Sequence, residues 1–181
     1  MTAPGTLIRA YVGLGSNLGD RARNLREAAA RLAALPGTAL LRASRVWETQ
    51  PVGGPEQGDY LNAVAELETA LGAEELLARL LEIERGLGRE RRERWGPRTL
   101  DLDLLVAGER AVATAALELP HPRLAERRFV LAPLAELAPE LRPPGLGRTV
   151  AELLRDLPEP AGAMRCRPVD GVELATYQVK T

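Results

Sequence analysis

Hydrophobic and polar residues alternate most clearly over residues 99–107, where the sequence is Thr-Leu-Asp-Leu-Asp-Leu-Leu-Val-Ala. Successive side chains of a β-strand point to opposite faces, so this pattern predicts a strand whose first leucines face a core. Asp101 and Asp103 then stand side by side on the opposite face. Two carboxylates at this spacing repel each other unless a positive group lies near them.

The same periodicities predict the other elements of the fold. Before the Asp-Leu-Asp strand we expect a strand over 7–15, a helix that begins after Asp20, strands over 39–49 and 60–67, and a second helix over the stripe Leu76, Leu80, Ile83 and Leu87. After it we expect one or two short strands within 109–119, a turn over 120–123, helical structure over 124–137 and a short helix that opens at Thr149. The order strand–helix–strand–strand–helix–strand is typical of a ferredoxin-like α+β sandwich, a largely antiparallel sheet with helices packed on it. We expect one domain over residues 1–160 and a C-terminal tail of unknown role over 161–181.

Composition limits the classes of function. The chain has 181 residues and a net charge of −1, so no global field attracts it to nucleic acid or to membranes. Its single cysteine, Cys166, excludes an internal disulfide and a cysteine-rich zinc site. With no signal-peptide pattern and no long apolar run, a cytoplasmic location is expected. A monomer is expected, and a dimer is left open.

The candidate chemistry begins directly before the acid pair. Arginines occupy positions 85, 89, 91, 92, 94 and 98. Alone, they would suggest a solvated or nucleic-acid-binding loop, and the alternating strand alone would suggest an ordinary half-buried strand. Together, arginines that match phosphate oxygens and carboxylates that suit Mg²⁺ indicate a metal–nucleotide site. If Arg98 contacts phosphate, regular strand geometry must begin after it, which Pro97 allows.

A glycine-rich segment, residues 13–19, resembles a dinucleotide-binding turn but departs from it. Leu18 stands where that pattern requires glycine, and the Lys-Ser/Thr ending of a P-loop is absent. We interpret the segment as a tight turn that leads into the helix after Asp20.

The only histidine, His121, lies in Pro-His-Pro-Arg, shortly before Glu126-Arg127-Arg128-Phe129. A lone histidine is more often a structural turn residue, but together with these arginines the pattern is equally compatible with a second phosphate clamp and with a solvated surface.

Aromatic residues adjoin the polar loops. Trp47, Tyr60, Trp95 and Phe129 could each belong to a core, or together form a slot for a flat heterocycle. Asn62 shares a strand face with Tyr60 and would offer a donor and an acceptor to the edge of such a ring.

Several strings now match a known family in order and spacing. They are Gly-Leu-Gly-Ser-Asn-Leu-Gly over 13–19, Glu-Thr-Gln-Pro-Val-Gly over 48–53, Asp-Tyr-Leu-Asn over 59–62, Arg-Trp-Gly-Pro-Arg-Thr-Leu-Asp-Leu-Asp over 94–103, and Pro-His-Pro-Arg with the residues up to 131. The chain resembles the 6-hydroxymethyl-7,8-dihydropterin pyrophosphokinases of folate biosynthesis from about residue 7 to about residue 157.

The resemblance implies transfer of pyrophosphate from ATP to the hydroxymethyl group of the pterin, which releases AMP. It implies two Mg²⁺ ions held by Asp101 and Asp103, and a catalytic set that also contains Arg89 and Arg98. The implied ATP contacts are Glu84, Arg91, Leu104, His121, Arg123 and Arg127. The implied pterin contacts are Thr49, Pro51, Val52, Tyr60, Asn62, Trp95 and Phe129. The roles of Arg89, Arg91 and Arg92 are assigned only to within one position.

Two other hypotheses remain. An RNA-binding module would use exposed aromatics and the basic loop, although the acid pair would repel a phosphate backbone. A regulatory protein with an inactive site would bind pterin or nucleotide without forming AMP. Asp101 and Asp103 discriminate among these hypotheses, because only the enzyme requires both carboxylates.

Overall fold

The computed structural model describes residues 6–88, 96–158 and 166–174. Its strands are β1 (Ile8–Ser16), β2 (Thr38–Ala43), β3 (Trp47–Thr49), β4 (Tyr60–Thr69), β5 (Asp101–Ala107), β6 (Val112–Ala113), β7 (Glu118–Leu119) and β8 (Cys166–Pro168). Its α-helices are α1 (Arg21–Ala33), α2 (Ala73–Gly86), α3 (Arg128–Leu137) and α4 (Val150–Asp156).

The main sheet has the order β5-β1-β4-β3-β8, with β2 also paired to β4. All of its pairings are antiparallel, and β6 and β7 form a separate two-stranded sheet. One hydrophobic cluster lies between the sheet and α1 and α2, and a second lies between the opposite face and α3 and α4. The predicted α+β sandwich is therefore confirmed.

The predicted starts of α1 and α4 are confirmed by the capping hydrogen bonds at their N-termini. The Asp20 side chain accepts a hydrogen bond from the Arg23 backbone N–H and begins α1. Thr149 and Glu152 form a capping box at the start of α4. Asp20 and Thr149 thus begin helices as the sequence predicted.

The strand predicted over 39–49 is wrong in one respect, because the structure divides it into β2 and β3. At the break the Ser44 hydroxyl accepts the backbone N–H of Val64, while the Ser44 N–H donates to the Val64 carbonyl. A side chain thus replaces a main-chain acceptor opposite β4, which interrupts the ladder.

The helix predicted over 124–137 is also divided. A 3₁₀ turn over Leu124–Glu126 is followed by Arg127 in an extended conformation, and α3 begins only at Arg128. This break directs Arg127 toward the sheet.

The C-terminal segment contains a strand that the sequence did not indicate. β8 pairs with β3 and extends the main sheet by one edge strand. No helix in the described ranges has the length and apolar character needed to cross a membrane.

Candidate active site

The acid pair lies on the sheet face that also packs against α3. Leu100, Leu102 and Leu104 are at most 3% exposed on the other face, as the alternation predicted. Asp101 and Asp103 border a cavity of about 620 Å³, a size typical of small-molecule sites. Their carboxylates therefore face a space that a ligand can occupy.

Arg98 precedes the regular part of β5 and turns back onto it. Its Nη1 donates to Asp101 Oδ1 at 2.8 Å, and β5 begins only at Asp101. The backbone N–H of Arg98 donates to Asn17 Oδ1 at 2.8 Å. Arg98 therefore shares the carboxylate face, as expected if strand geometry starts after it.

Two glycines of β1 form the floor of the cavity. Gly13 pairs with Asp103 on one side and Val64 on the other, and Gly15 pairs likewise with Asp101 and Asn62. A Cβ on Gly15 would lie 2.9 Å from Asn62 Oδ1, which is too close for an undisturbed contact. A Cβ on Gly13 would meet nothing nearer than 3.6 Å.

Polar and aromatic groups of the predicted ring slot lie on β3 and β4, separated from the acid pair of β5 by β1. Asn62 Nδ2 donates to Thr49 Oγ1 at 2.6 Å, and both side chains are buried. Tyr60 pairs with Thr49 across the β3–β4 ladder and also lines the cavity. Burial raises the pKa of Tyr60, with opposing effects from Arg98 and Asp101, so the phenol stays neutral.

The Pro-His-Pro-Arg turn brings basic groups over Asp103. His121 Nε2 lies 4.0 Å from Asp103 Oδ1, and Arg127 Nη1 lies 3.8 Å from Asp103 Oδ2. The Arg127 guanidinium also lies over the Phe129 ring, 5.6 Å from its centroid. Arg127 thus bridges the carboxylate end and the aromatic end of the cavity.

The surroundings of His121 favour a neutral imidazole with a defined tautomer. Burial lowers its pKa, the positive charge of Arg127 lowers it further, and Asp101 partly opposes them. His121 Nδ1 accepts the Arg123 backbone N–H at 3.2 Å, so in the neutral ring the proton resides on Nε2. A neutral imidazole therefore presents an N–H donor toward the acid pair.

The structure brings twelve of the predicted site residues to this one cavity. They are Thr49, Pro51, Val52, Tyr60, Asn62, Arg98, Asp101, Asp103, His121, Arg123, Arg127 and Phe129. Arg89, Arg91 and Trp95 lie outside the described residues, as does Arg92.

Glu84 and Leu104 are not among the described residues that line the cavity, and their place beside a nucleoside stays a prediction. Leu104 is 3% exposed in the hydrophobic cluster on the α1–α2 face. Glu84 is 1% exposed, and its Oε1 accepts the Leu102 backbone N–H at 2.7 Å. The strand alternation that directs the aspartates into the cavity directs Leu104 away from it.

Several cavity residues were not predicted as site residues. The wall includes Gln50, Gln57, Arg128, Leu157, Pro158 and Cys166. Gln50 and Gln57 belong to the polar loop between β3 and β4, and their place in the motif could have indicated them. Leu157, Pro158 and Cys166 reach the cavity through tertiary contacts, which no local pattern along the chain indicates.

The donor set fits a magnesium ion that arrives with a polyphosphate. Within the described residues, no three His, Cys, Asp or Glu side chains are grouped so as to hold a metal by themselves. Mg²⁺ is ordinarily bound by one or two carboxylates together with substrate phosphates, and Asp101 and Asp103 supply such a pair. The surrounding arginines and imidazole supply donors to phosphate oxygens.

Fold and site together define a class of protein: an α+β enzyme with one cavity that joins an acidic, arginine-lined end to an aromatic, amide-bearing end. The model of the 7,8-dihydro-6-hydroxymethylpterin-pyrophosphokinase family matches residues 11–139. The chain belongs to this family.

Curated relatives agree with this assignment. A protein of Synechocystis is 45% identical over 148 residues, covering 82% of this chain and 75% of its own. One of Bacillus subtilis is 46% identical over 132 residues, covering 73% and 79%. One of Methylorubrum extorquens is 45% identical over 159 residues, covering 88% and 99%. Each is named 2-amino-4-hydroxy-6-hydroxymethyldihydropteridine pyrophosphokinase.

Solved structures support the fold. The HPPK-DHPS of Plasmodium falciparum, crystallised with pteroate, superposes with a TM-score of 0.68 at 12% identity. The match covers 85% of this chain and 45% of that one, so this chain spans less than half of that chain's length. A second crystal structure of it gives a TM-score of 0.67.

Proposed function

We propose that this protein transfers the β,γ-pyrophosphate of ATP to the hydroxymethyl oxygen of 6-hydroxymethyl-7,8-dihydropterin. The hydroxyl oxygen attacks the β-phosphorus, the bond from that phosphorus to the α–β bridging oxygen breaks, and AMP leaves with the bond's electron pair. The hydroxyl proton passes to solvent. The observation that carries the proposal is that one cavity of this family member joins two ends: Asp101 and Asp103 with basic groups at one, and a polar, aromatic slot at the other.

At the ring end, Tyr60 and Phe129 would stack on the faces of the pterin, and Asn62 and Thr49 would recognise its edge. The 2.6 Å hydrogen bond from Asn62 to Thr49 fixes the orientation of the Asn62 amide before any ligand binds. Pro51, Val52 and Trp95 complete this proposed set, with Val52 at the exposed rim. A preorganised slot of this kind lowers the entropic cost of binding a flat ring.

At the phosphate end, Arg98, Arg123 and Arg127 would contact polyphosphate oxygens, with His121 Nε2–H as a neutral donor. Arg89 and Arg91 are proposed for the same role. Phosphoryl transfer depends mainly on positioning and on charge stabilisation, so no strong general base is required. Arg98 also orients Asp101 through their 2.8 Å hydrogen bond.

Asp101 and Asp103 would hold Mg²⁺, and we propose two ions. When bound, Mg²⁺ neutralises polyphosphate charge and favours departure of the AMP oxygen. We also propose that the enzyme is a cytoplasmic monomer with a catalytic domain over residues 1–160, to whose sheet β8 of the C-terminal segment adds an edge strand.

The experiment that tests the function incubates the purified protein with ATP, MgCl₂ and the hydroxymethyl pterin and follows nucleotides by mass spectrometry. AMP and pterin pyrophosphate in equal amounts, lost with EDTA, are expected. ADP with a pterin monophosphate would contradict attack at the β-phosphorus. Pterin binding without turnover would favour the inactive-site hypothesis, and an absence of binding would favour the RNA-binding module.

A further inference from the structure

The cavity wall includes a segment that lies beyond the part of the chain matched by the family model. That match ends at residue 139, whereas Leu157, Pro158 and Cys166 all border the cavity. We name these three residues the C-terminal wall. A wall at this position can limit what the cavity accepts.

Cys166 is placed by strand pairing. In the β3–β8 ladder it lies directly opposite Thr49, and Thr49 lies opposite Tyr60 in the β3–β4 ladder. Directly paired residues project to the same face of a sheet. One row across the sheet therefore presents Cys166, Thr49 and Tyr60 to the same cavity.

Sheet order assigns Cys166 to the ring end. β8 and β5 are the opposite ends of the order β5-β1-β4-β3-β8. At about 4.8 Å between neighbouring strands, four steps separate them by roughly 19 Å. Cys166 is therefore remote from the acid pair of β5, and a change there should act on the ring and leave the phosphate end undisturbed.

Contacts on both sides of the wall hold it in place. Arg128 Nη2 donates to the Leu157 carbonyl at 3.1 Å. The Val169 backbone N–H donates to the Val46 carbonyl at 2.8 Å, and Leu174 is 7% exposed in the core. The wall is thus tied to α3, to the segment before β3 and to the core.

We propose that the C-terminal wall sets the size limit of the ring end, and that Cys166 is a specificity-determining residue for a flat bicyclic heterocycle. The small thiol side chain beside Thr49 leaves the width that such a ring needs. This proposal rests on the proposed function, because it takes the pterin to occupy the ring end.

Kinetics of Cys166→Leu and Cys166→Trp test the proposal. Added volume in a packed site is poorly tolerated, so KM for the pterin should rise progressively, by about tenfold or more for Trp, with KM for ATP within twofold of wild type. The matched control is Arg167→Gln. Arg167 is the next residue of β8, its side chain is 65% exposed, and it contacts Glu48 rather than the cavity. Its two KM values should not change.

Thiol labelling tests the proposal without any variant. Cys166 is the only cysteine, so N-ethylmaleimide labelling measured by intact mass reports on it alone. The hydroxymethyl pterin should slow labelling at least about fivefold, and ATP with MgCl₂ should not. Equal labelling rates with and without pterin, or an unchanged pterin KM in Cys166→Trp, would overturn the proposal. Failure of the proposed function would look different, because wild type would then form no AMP.

Discussion

Replacing Gly15 by alanine tests the geometry of the ring end with the smallest possible change. The added Cβ would lie 2.9 Å from Asn62 Oδ1, so the amide must move by about half an ångström to reach an ordinary contact. That movement disturbs the 2.6 Å hydrogen bond from Asn62 Nδ2 to Thr49 Oγ1. A hydrogen bond of this kind contributes about 0.5–1.5 kcal/mol, so the pterin dissociation constant should rise about two- to twelvefold.

The assay is titration of the pterin by fluorescence or calorimetry, with urea unfolding on the same preparations. Gly13→Ala is the matched control, because its Cβ would sit 3.6 Å from Leu105 Cδ2, an ordinary contact on the same strand face. Alanine in place of a strand glycine should not lower the free energy of unfolding. Unchanged pterin affinity in Gly15→Ala, or an equal loss in Gly13→Ala, would refute the geometry of Asn62 described above.

Two further predictions concern groups that the sequence suggested as nucleotide contacts. His121 should titrate below 6.5 in the metal-free protein, since burial and Arg127 lower its pKa; its resonances are unique and NMR measures this directly. The unfolded state then binds the proton more readily than the folded state. The free energy of unfolding of wild type relative to His121→Gln should therefore be highest above about pH 6.5 and fall as pH drops through the folded pKa. A difference in the free energy of unfolding by urea that stays constant between pH 7.5 and 5 would contradict this. Glu84→Ala leaves the buried Leu102 N–H without its acceptor, so the free energy of unfolding should fall by about 1–3 kcal/mol. Unchanged stability combined with a tenfold higher KM for ATP would contradict this structural role and support Glu84 as a nucleotide contact.

The sequence could predict what depends on local periodicity. Alternation in β5 indicated that Asp101 and Asp103 share a face opposite the leucines, and Asp20 and Thr149 indicated where two helices begin. These features depend on neighbours along the chain, so no tertiary information is needed to find them.

Other features depend on partners distant in sequence. The break between β2 and β3 arises because the Ser44 hydroxyl bonds to the main chain of Val64. β8 is three residues long and ends in Pro168, so it carries no measurable alternation, and only the exposed edge of β3 makes it a strand. Leu104 was assigned as a nucleotide contact from the resemblance alone, because alternation places its side chain on the leucine face.

The most direct test of the account compares Asp101→Asn and Asp103→Asn with wild type in two measurements on the same preparations: AMP formation with ATP and MgCl₂, and pterin affinity without nucleotide. Loss of a metal-binding carboxylate removes several kcal/mol of charge stabilisation, so turnover should fall at least about a hundredfold in each variant. Pterin affinity should remain within about threefold of wild type, because the acid pair lies at the other end of the cavity. Turnover retained in either variant would contradict the assignment of Asp101 and Asp103 as the metal-binding pair.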